Sequence, residues 1–304
     1  MGPLSGLKVL EFAGLGPAPF ACMVLADLGA DVLRIDRAGA GNLLGLDRDV
    51  LDRGRRSLLL DLKSAADLDT ARRLAGVADV LVEGFRPGVM ERLGLGPETL
   101  AAANPRLVYA RMTGWGQTGP LADTAGHDLG YVALTGALHA IGDADHPVPP
   151  LNLVGDFGGG SMMLVTGILA ALYERQTSGR GQVIDAAITD GTALLTAMMW
   201  SMKAAGKWRD ARAANLLDGG SAAYRAYPCA DGRHLAVAPL ERKFFEIFAR
   251  GLGLDPADWP NHLDPAVGPA LEARIGAILR TKTRDDWCAR FAGTDACVAP
   301  VLSF

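Results

Sequence analysis

Cysteine is scarce. The four residues Cys22, Cys229, Cys288 and Cys297 stand far apart in a chain of 304 residues, with no CxxC pair and no ligand-like spacing to a histidine. That pattern speaks against a disulfide framework and against a structural metal, so a reduced cytoplasmic enzyme is expected. Positive charge is also in short supply. Thirty Lys and Arg against 34 Asp and Glu leave a formal net charge of −4, whereas a general nucleic-acid binder needs a basic stripe to neutralise phosphates. Long apolar runs are missing as well: the longest, such as 162–173, fall short of the about 20 residues that a bilayer-spanning helix takes. The opening MGPLSGLKVLEF runs into a strand pattern containing Glu11, unlike a signal peptide, and has Gly6 where a myristoylation signal wants Ser or Thr. Neither a membrane nor a nucleic acid is therefore expected as a partner.

What is present describes a well-packed protein: 49% hydrophobic and 21% charged residues, at a length that accommodates two domains. LKVLEFAGLGPAPFACMVLADLGADVLRID reads as strand, glycine-rich turn, helix, strand, with Gly29 at the helix end. Further strands are expected at 78–83 and 107–112, each next to a helical pattern, which implies an α/β fold with a mostly parallel sheet. The apolar stretch 162–175 reads as a helix, and QVIDAAI as the strand or next element after it. TALLTAMMWSMKAA, 192–205, is apolar nearly all round and reads as one buried or interface helix. Three parts follow: a large α/β domain over residues 1–190, a linker helix and loop over 191–222, and a small α+β domain over 223–304. In the last, AYPCADGRHLAVAPL reads as a hairpin turned at Asp231-Gly232 and is followed by short helices.

Several residues invite a chemical reading beside a plainer one. Gly14-Leu15-Gly16 after a strand, with Asp36 some twenty residues on, outlines a dinucleotide fingerprint, but Pro19 occupies the place of the third glycine. Arg37, Arg55, Arg56, Lys63, Arg86 and Arg92 follow strands and suit a phosphorylated nucleotide, or form a solvated face. His127 sits in a glycine-flanked turn beside Asp128 before an apolar helix, where an imidazole can exchange protons near neutral pH or stand at the surface. His139 lies mid-pattern and reads as structural. In VGDFGGG, Asp156 is either a helix cap or a reacting carboxylate beside an anion site made by helix amides. Two different acid/base groups on separate turns suit taking a proton from one face of a carbon and returning it to the other. Met198, Met199 and Met202 offer adaptable apolar contact for an acyl chain, or pack a core or interface.

GHDLGY, GWGQTGP, PPLNLVGDFGGGSM, SGRGQVIDAAI and LVEGFRPGVMERLGLG together resemble the α-methylacyl-CoA racemases, of the class III CoA-transferase (CaiB/BaiF) superfamily. The resemblance runs from Gly2 to Phe304 and implies a Rossmann-like large domain, a smaller domain, and an interlocked homodimer with no NAD. It implies that the CoA thioester is the substrate and that no cofactor is needed. It further implies that Asp156 and His127 are the acid/base pair, with Glu241 orienting the histidine from the neighbouring chain. By the same resemblance Arg37, Lys63, Arg86 and Arg92 contact the phosphates and adenine of CoA, and Tyr131 belongs to the active site. The activity implied is epimerisation at C2 of a 2-methylacyl-CoA through an enolate, its oxygen held by the backbone amides around Asp156 and Phe157. Two other readings are open: a CoA-transferase with Asp156 as nucleophile, and a CoA-binding protein without turnover. A returning C-terminal segment, usual in the family, is expected to be missing after PVLSF.

Overall fold

Six parallel strands organise the first part of the chain: β1 Lys8–Phe12, β2 Asp31–Asp36, β3 Arg55–Leu59, β4 Val80–Glu83, β5 Val108–Thr113 and β6 Val183–Ala187. The computed structural model describes residues 2–39, 45, 46 and 48–304. Strand order is β3-β2-β1-β4-β5-β6. The order reverses between β1 and β4, which opens a crevice at the carboxyl ends of these two strands. The interspersed helices are α1 Pro17–Asp27, α2 Ala65–Val77, α3 Val89–Arg92, α4 Pro97–Ala103, α5 Asp128–Leu134, α6 Ala137–Ala140, α7 Met163–Ser178, α8 Ile188–Leu195 and α9 Ala197–Ala204.

The apolar runs of the strands reflect burial on both faces. Val9, Val80, Val82, Val108 and Ala110 point to one side, against Cys22 and Leu25 of α1 and Leu164 and Ile168 of α7. Leu10, Phe12, Leu81 and Tyr109 point to the other, against Ala71, Ala75, Met90 and Leu100. Edge strand β3 escaped the sequence reading because its sequence, RRSLL, begins with two arginines and stays largely exposed.

Two expectations need correction. The stretch 192–205 is not one helix: it breaks at Thr196, whose hydroxyl donates to Ala193 O at 2.7 Å, a local bond that competes with helix continuation. Nor is it buried within this chain. Helix α9 has no buried residue, and Leu194, Leu195, Met198 and Trp200 are exposed. Second, α7 is preceded without interruption by a ten-residue π-helical segment, Leu153–Met162, so that one helix of 26 residues runs from Leu153 to Ser178. By length and apolar character it is long enough to cross a membrane, contrary to the reading of shorter runs. Its Leu164 and Ile168 belong to the core of the parallel sheet.

Chain contacts divide the molecule into two compact units, the first holding residues up to Leu138 with Pro150–Met198, the second His139–Pro149 with Met199–Phe304. The second unit contains an antiparallel sheet β7 Arg225–Pro228, β8 His234–Val237 and β9 Val298–Pro300, in the order β7-β8-β9. Helices α10 Arg242–Leu252, α11 Gly268–Leu279 and α12 Arg284–Phe291 pack Phe245, Phe248, Leu271, Ile275 and Trp287 into its core. The β7–β8 turn has Gly232 at φ +73°, the left-handed conformation expected of the Asp-Gly pair. Within this unit the glycine-rich stretch before β7 is knit around Asn215, whose amide donates to Arg209 O, Ala211 O and Asp218 Oδ2.

The π-helical segment lies directly on α8. A Cβ added to Gly191 would stand 1.8 Å from Gly159 O, and one added to Gly159 would stand 2.4 Å from Thr192 Oγ1. Gly191→Ala should therefore lower stability in urea unfolding by on the order of 3 kcal/mol. Gly130→Ala, in α5 with nothing within 4 Å of the added carbon, should be neutral or stabilising by up to about 1 kcal/mol. Equal effects would contradict this packing.

Candidate active site

Asp156 lies in the first turn of the π-helical segment, so it is not that helix's cap; Asn152 is. Wide π turns disturb the regular amide pattern and often mark functional sites. Three contacts fix the segment against its neighbours within the first unit. The rings of Phe157 and Phe20 stack at 4.2 Å, Ser161 Oγ donates to Pro17 O at 2.7 Å, and the Asp156 N–H donates to Asp128 Oδ1 at 2.7 Å. The carboxylate itself faces Gly16, the N-cap of α1. A Cβ there would meet Asp156 Oδ2 at 2.9 Å, and Gly16 has φ +65°, so glycine meets both demands. The second glycine of the dinucleotide-like outline thus makes room for Asp156. The start of α1 also favours a negative charge there.

The surroundings push the acidity of Asp156 down. Burial, then the charge of Asp128, raise its pKa to about 6, opposed by a hydrogen bond from Asn152 and by the charge of His127. Asp128 is itself raised by burial, opposed by the amide it accepts. His127 is the exposed N-cap of α5, and its carbonyl accepts the N–H groups of Gly130 and Tyr131. Its side chain makes no capping hydrogen bond to α5. Tyr131 is buried edge-on to Trp115 with ring centroids 4.6 Å apart. Burial and the charge of Asp156 raise the Tyr131 phenol's pKa, while Arg86 lowers it. Asp156, His127, Tyr131 and Arg86 therefore form one electrostatic neighbourhood. Glu241 lies in the second unit, exposed at the N-cap of α10 and near enough to Cys297 to raise that thiol's pKa, after burial.

The basic residues follow strand ends, as the sequence suggests. Arg37 comes directly after β2, Lys63 between β3 and α2, Arg86 after β4, and Arg92 in α3. All four are exposed, and because the strands are parallel they share the sheet's carboxyl edge. Arg37 lines a cleft of about 610 Å³ together with Gly14, Leu15, Gly16 and Asp36. Asp36, which a dinucleotide reading would offer to a ribose, is held by Arg34 at 2.8 Å. Arg55 belongs to a different function: its side chain is 2% exposed and paired with the buried Glu11 in the sheet. Arg56 pairs with Asp31 at the surface.

The model of CoA-transferase family III matches residues 4–304 of this chain. The chain belongs to that family. Among relatives, the α-methylacyl-CoA racemase of Mus musculus is 47% identical over 99% of this chain and 78% of its own length. The Homo sapiens racemase is 46% identical over the same shares. Among solved structures, Rv3272 from Mycobacterium tuberculosis superposes with a TM-score of 0.82 at 27% identity, covering 100% of this chain and 83% of that one.

For this family III chain the structure corrects one detail. The amides of Asp156 and Phe157, expected to hold an enolate oxygen, are engaged inside the protein: Asp156 N–H with Asp128 Oδ1, and Phe157 N–H with Asn152 O at 3.1 Å. Sequence reading also missed what Asp128 and Asn152 do. Asp128 was visible beside His127, but no pattern in the sequence says that it accepts an amide 28 residues away.

Because folding raises the Asp156 pKa from 3.8 to about 6, its ionised form is disfavoured in the fold. Its contribution to stability is present below about pH 4 and lost as pH rises through about 6. Asp156→Asn escapes that loss, so its stability relative to the parent should grow by about 2 kcal/mol between pH 4 and pH 7 in urea unfolding. A pH-independent difference would mean that the carboxylate is not disfavoured.

Proposed function

We propose that this protein racemises 2-methylacyl-CoA thioesters at C2, with Asp156 and His127 as the acid/base pair. The observation that carries the reading is that Asp128, the residue next to His127, accepts the Asp156 N–H at 2.7 Å, which ties the two segments together and brings the charge of His127 to bear on Asp156. The 47% identity to a racemase over nearly the whole chain supports the same reading. One group removes the C2 proton, giving an enolate conjugated with the thioester. The other, already protonated, delivers a proton to the opposite face. The pair thus holds one exchangeable proton in either resting form, and racemisation only relocates it. A raised Asp156 is a better base than an ordinary carboxylate and narrows the gap to the weakly acidic C2 proton. Tyr131 is buried and near enough to Asp156 for that charge to raise the pKa of its phenol.

Arg37, Lys63, Arg86 and Arg92 are assigned to the CoA moiety, on the support of their shared sheet edge. The substrate is the CoA thioester, and no cofactor or metal is assigned. Glu241 is assigned to orient the histidine of a second copy, in a homodimer. The exposed Leu194, Leu195 and Met198 favour such a partner, since an apolar face is costly to leave in water. A place in fatty acid metabolism and a cytoplasmic location complete the reading; neither membrane nor nucleic acid has a part in it.

The test is proton NMR of a (2R)-2-methylacyl-CoA in deuterium oxide. Deuterium should enter C2 and both epimers should form, with His127→Ala and Asp156→Asn each slower by about 10²-fold or more. The rate should fall on the acid side as Asp156 becomes protonated near pH 6 and the pair, then holding two protons, has no base left. A covalent acyl adduct on Asp156 that survives His127→Ala would instead identify a CoA-transferase.

A further inference from the structure

Two of the cations assigned to CoA, Arg86 and Arg92, stand on one short segment after β4, and one buried guanidinium from the next strand holds that segment at both ends. Arg111 of β5 is 6% exposed and lies in register with Glu83 of β4. Its Nε donates to Glu83 Oε1 at 3.0 Å. Its Nη1 and Nη2 donate to Glu91 Oε1 and Oε2 at 2.7 and 3.3 Å. The other oxygen of Glu83 accepts the Phe85 N–H at 2.7 Å, so the strand end is bound to the residue before Arg86. Glu91 directly precedes Arg92, and a Cβ on Gly88 would meet Arg92 Nη1 at 3.0 Å, so that side chain folds back across Gly88.

Two carboxylates around one buried cation are a costly way to hold a loop, since well-packed apolar groups do it as well or better. The cost shows at Glu83, fully buried and with its pKa raised to about 7 by that burial, against the Phe85 amide and Arg111. What apolar packing cannot do is fix the direction in which a polar segment leaves the sheet edge. A planar fork with donors on two sides can.

We propose that Arg111 is a positioning residue for CoA recognition, clamping the 84–92 segment through Glu83 and Glu91 so that Arg86 and Arg92 act together on the phosphate-bearing part of the substrate. This rests on the reading of the site as one for a CoA thioester. Arg111 touches no substrate. Its guanidinium has Glu83 and Glu91 as partners and neither His127 nor Asp156, so its main effect is on the nucleotide half, through Arg86 and Arg92.

The discriminating experiment compares a 2-methylacyl-CoA with the matching pantetheine thioester, which lacks the nucleotide and its phosphates, for the parent and for Arg111→Lys. Lysine keeps the charge but cannot serve two carboxylates with a rigid fork. The expected result is a KM for the CoA ester raised by about tenfold, with kcat within about twofold and the KM of the pantetheine ester unchanged. An equal rise for both esters, a fall in kcat alone, or no change would each overturn the proposal. If Arg111→Lys does not fold, Glu91→Gln releases only the α3 end. It should show the same split at about threefold, and an unsplit result would again overturn the proposal. Should the parent exchange the C2 proton of neither ester, the racemase reading fails. The clamp is then judged by calorimetric binding of CoA and of pantetheine, where only CoA should bind the variant more weakly.

Discussion

Backbone lies on backbone where Gly159 meets Gly191, and the placement of Asp156 depends on that contact. The carbonyl of Gly159 occupies the space that a side chain on α8 would take. The π-helical segment therefore sits a side-chain layer closer to its neighbour than ordinary helices do. At that distance Phe157 reaches Phe20, Ser161 reaches Pro17, and the amide of Asp156 reaches Asp128. The carboxylate is then carried to the start of α1, where Gly16 alone leaves room for it. The glycines of VGDFGGG serve this approach and the width of the π turn.

The parallel sheet supplies the second constraint. Its interior is apolar on both faces, yet it holds two buried acids, Glu11 paired with Arg55 and Glu83 paired with Arg111. They lie on opposite faces, toward the carboxyl ends of β1 and β4 that flank the reversal of strand order. Each fastens a segment that a purely hydrophobic edge would leave undirected. Arg55 also binds Leu51 O and Asp52 beside the 610 Å³ cleft, and Arg111 binds the segment carrying Arg86 and Arg92. Desolvation costs at this edge raise Glu11 and Glu83 as they raise Asp156. The same physics that makes a proton-transfer group basic here makes the supporting ion pairs costly.

Much was legible from local pattern. The strands β1, β2, β4 and β5 announce themselves as apolar runs because both faces are covered, and GHDLGY with VGDFGGGSM marks the two segments that bear His127 and Asp156, the second of them π-helical where a turn was expected. Basic residues after strand ends fitted either an anion site or a solvated face, and only the family resemblance pointed four of them, Arg37, Lys63, Arg86 and Arg92, at CoA. By contrast, β3 and β9 lack a strand signal, since edge pairing to an existing sheet needs little hydrophobicity of its own. The break at Thr196 rests on one hydroxyl bonding backward, which a periodicity argument does not see.

The sequence by itself determined the α/β class, the family resemblance and the identity of the groups able to exchange protons, because these follow from residue type and short-range spacing. Only the tertiary structure decided that Asp156 is raised to about 6, that its amide and that of Phe157 are already engaged, and that Arg111 grips both ends of one cationic segment. Each of these is a sum over groups distant in the chain. Desolvation and hydrogen bonding act through space, and no local pattern records which distant residue will stand 3 Å away.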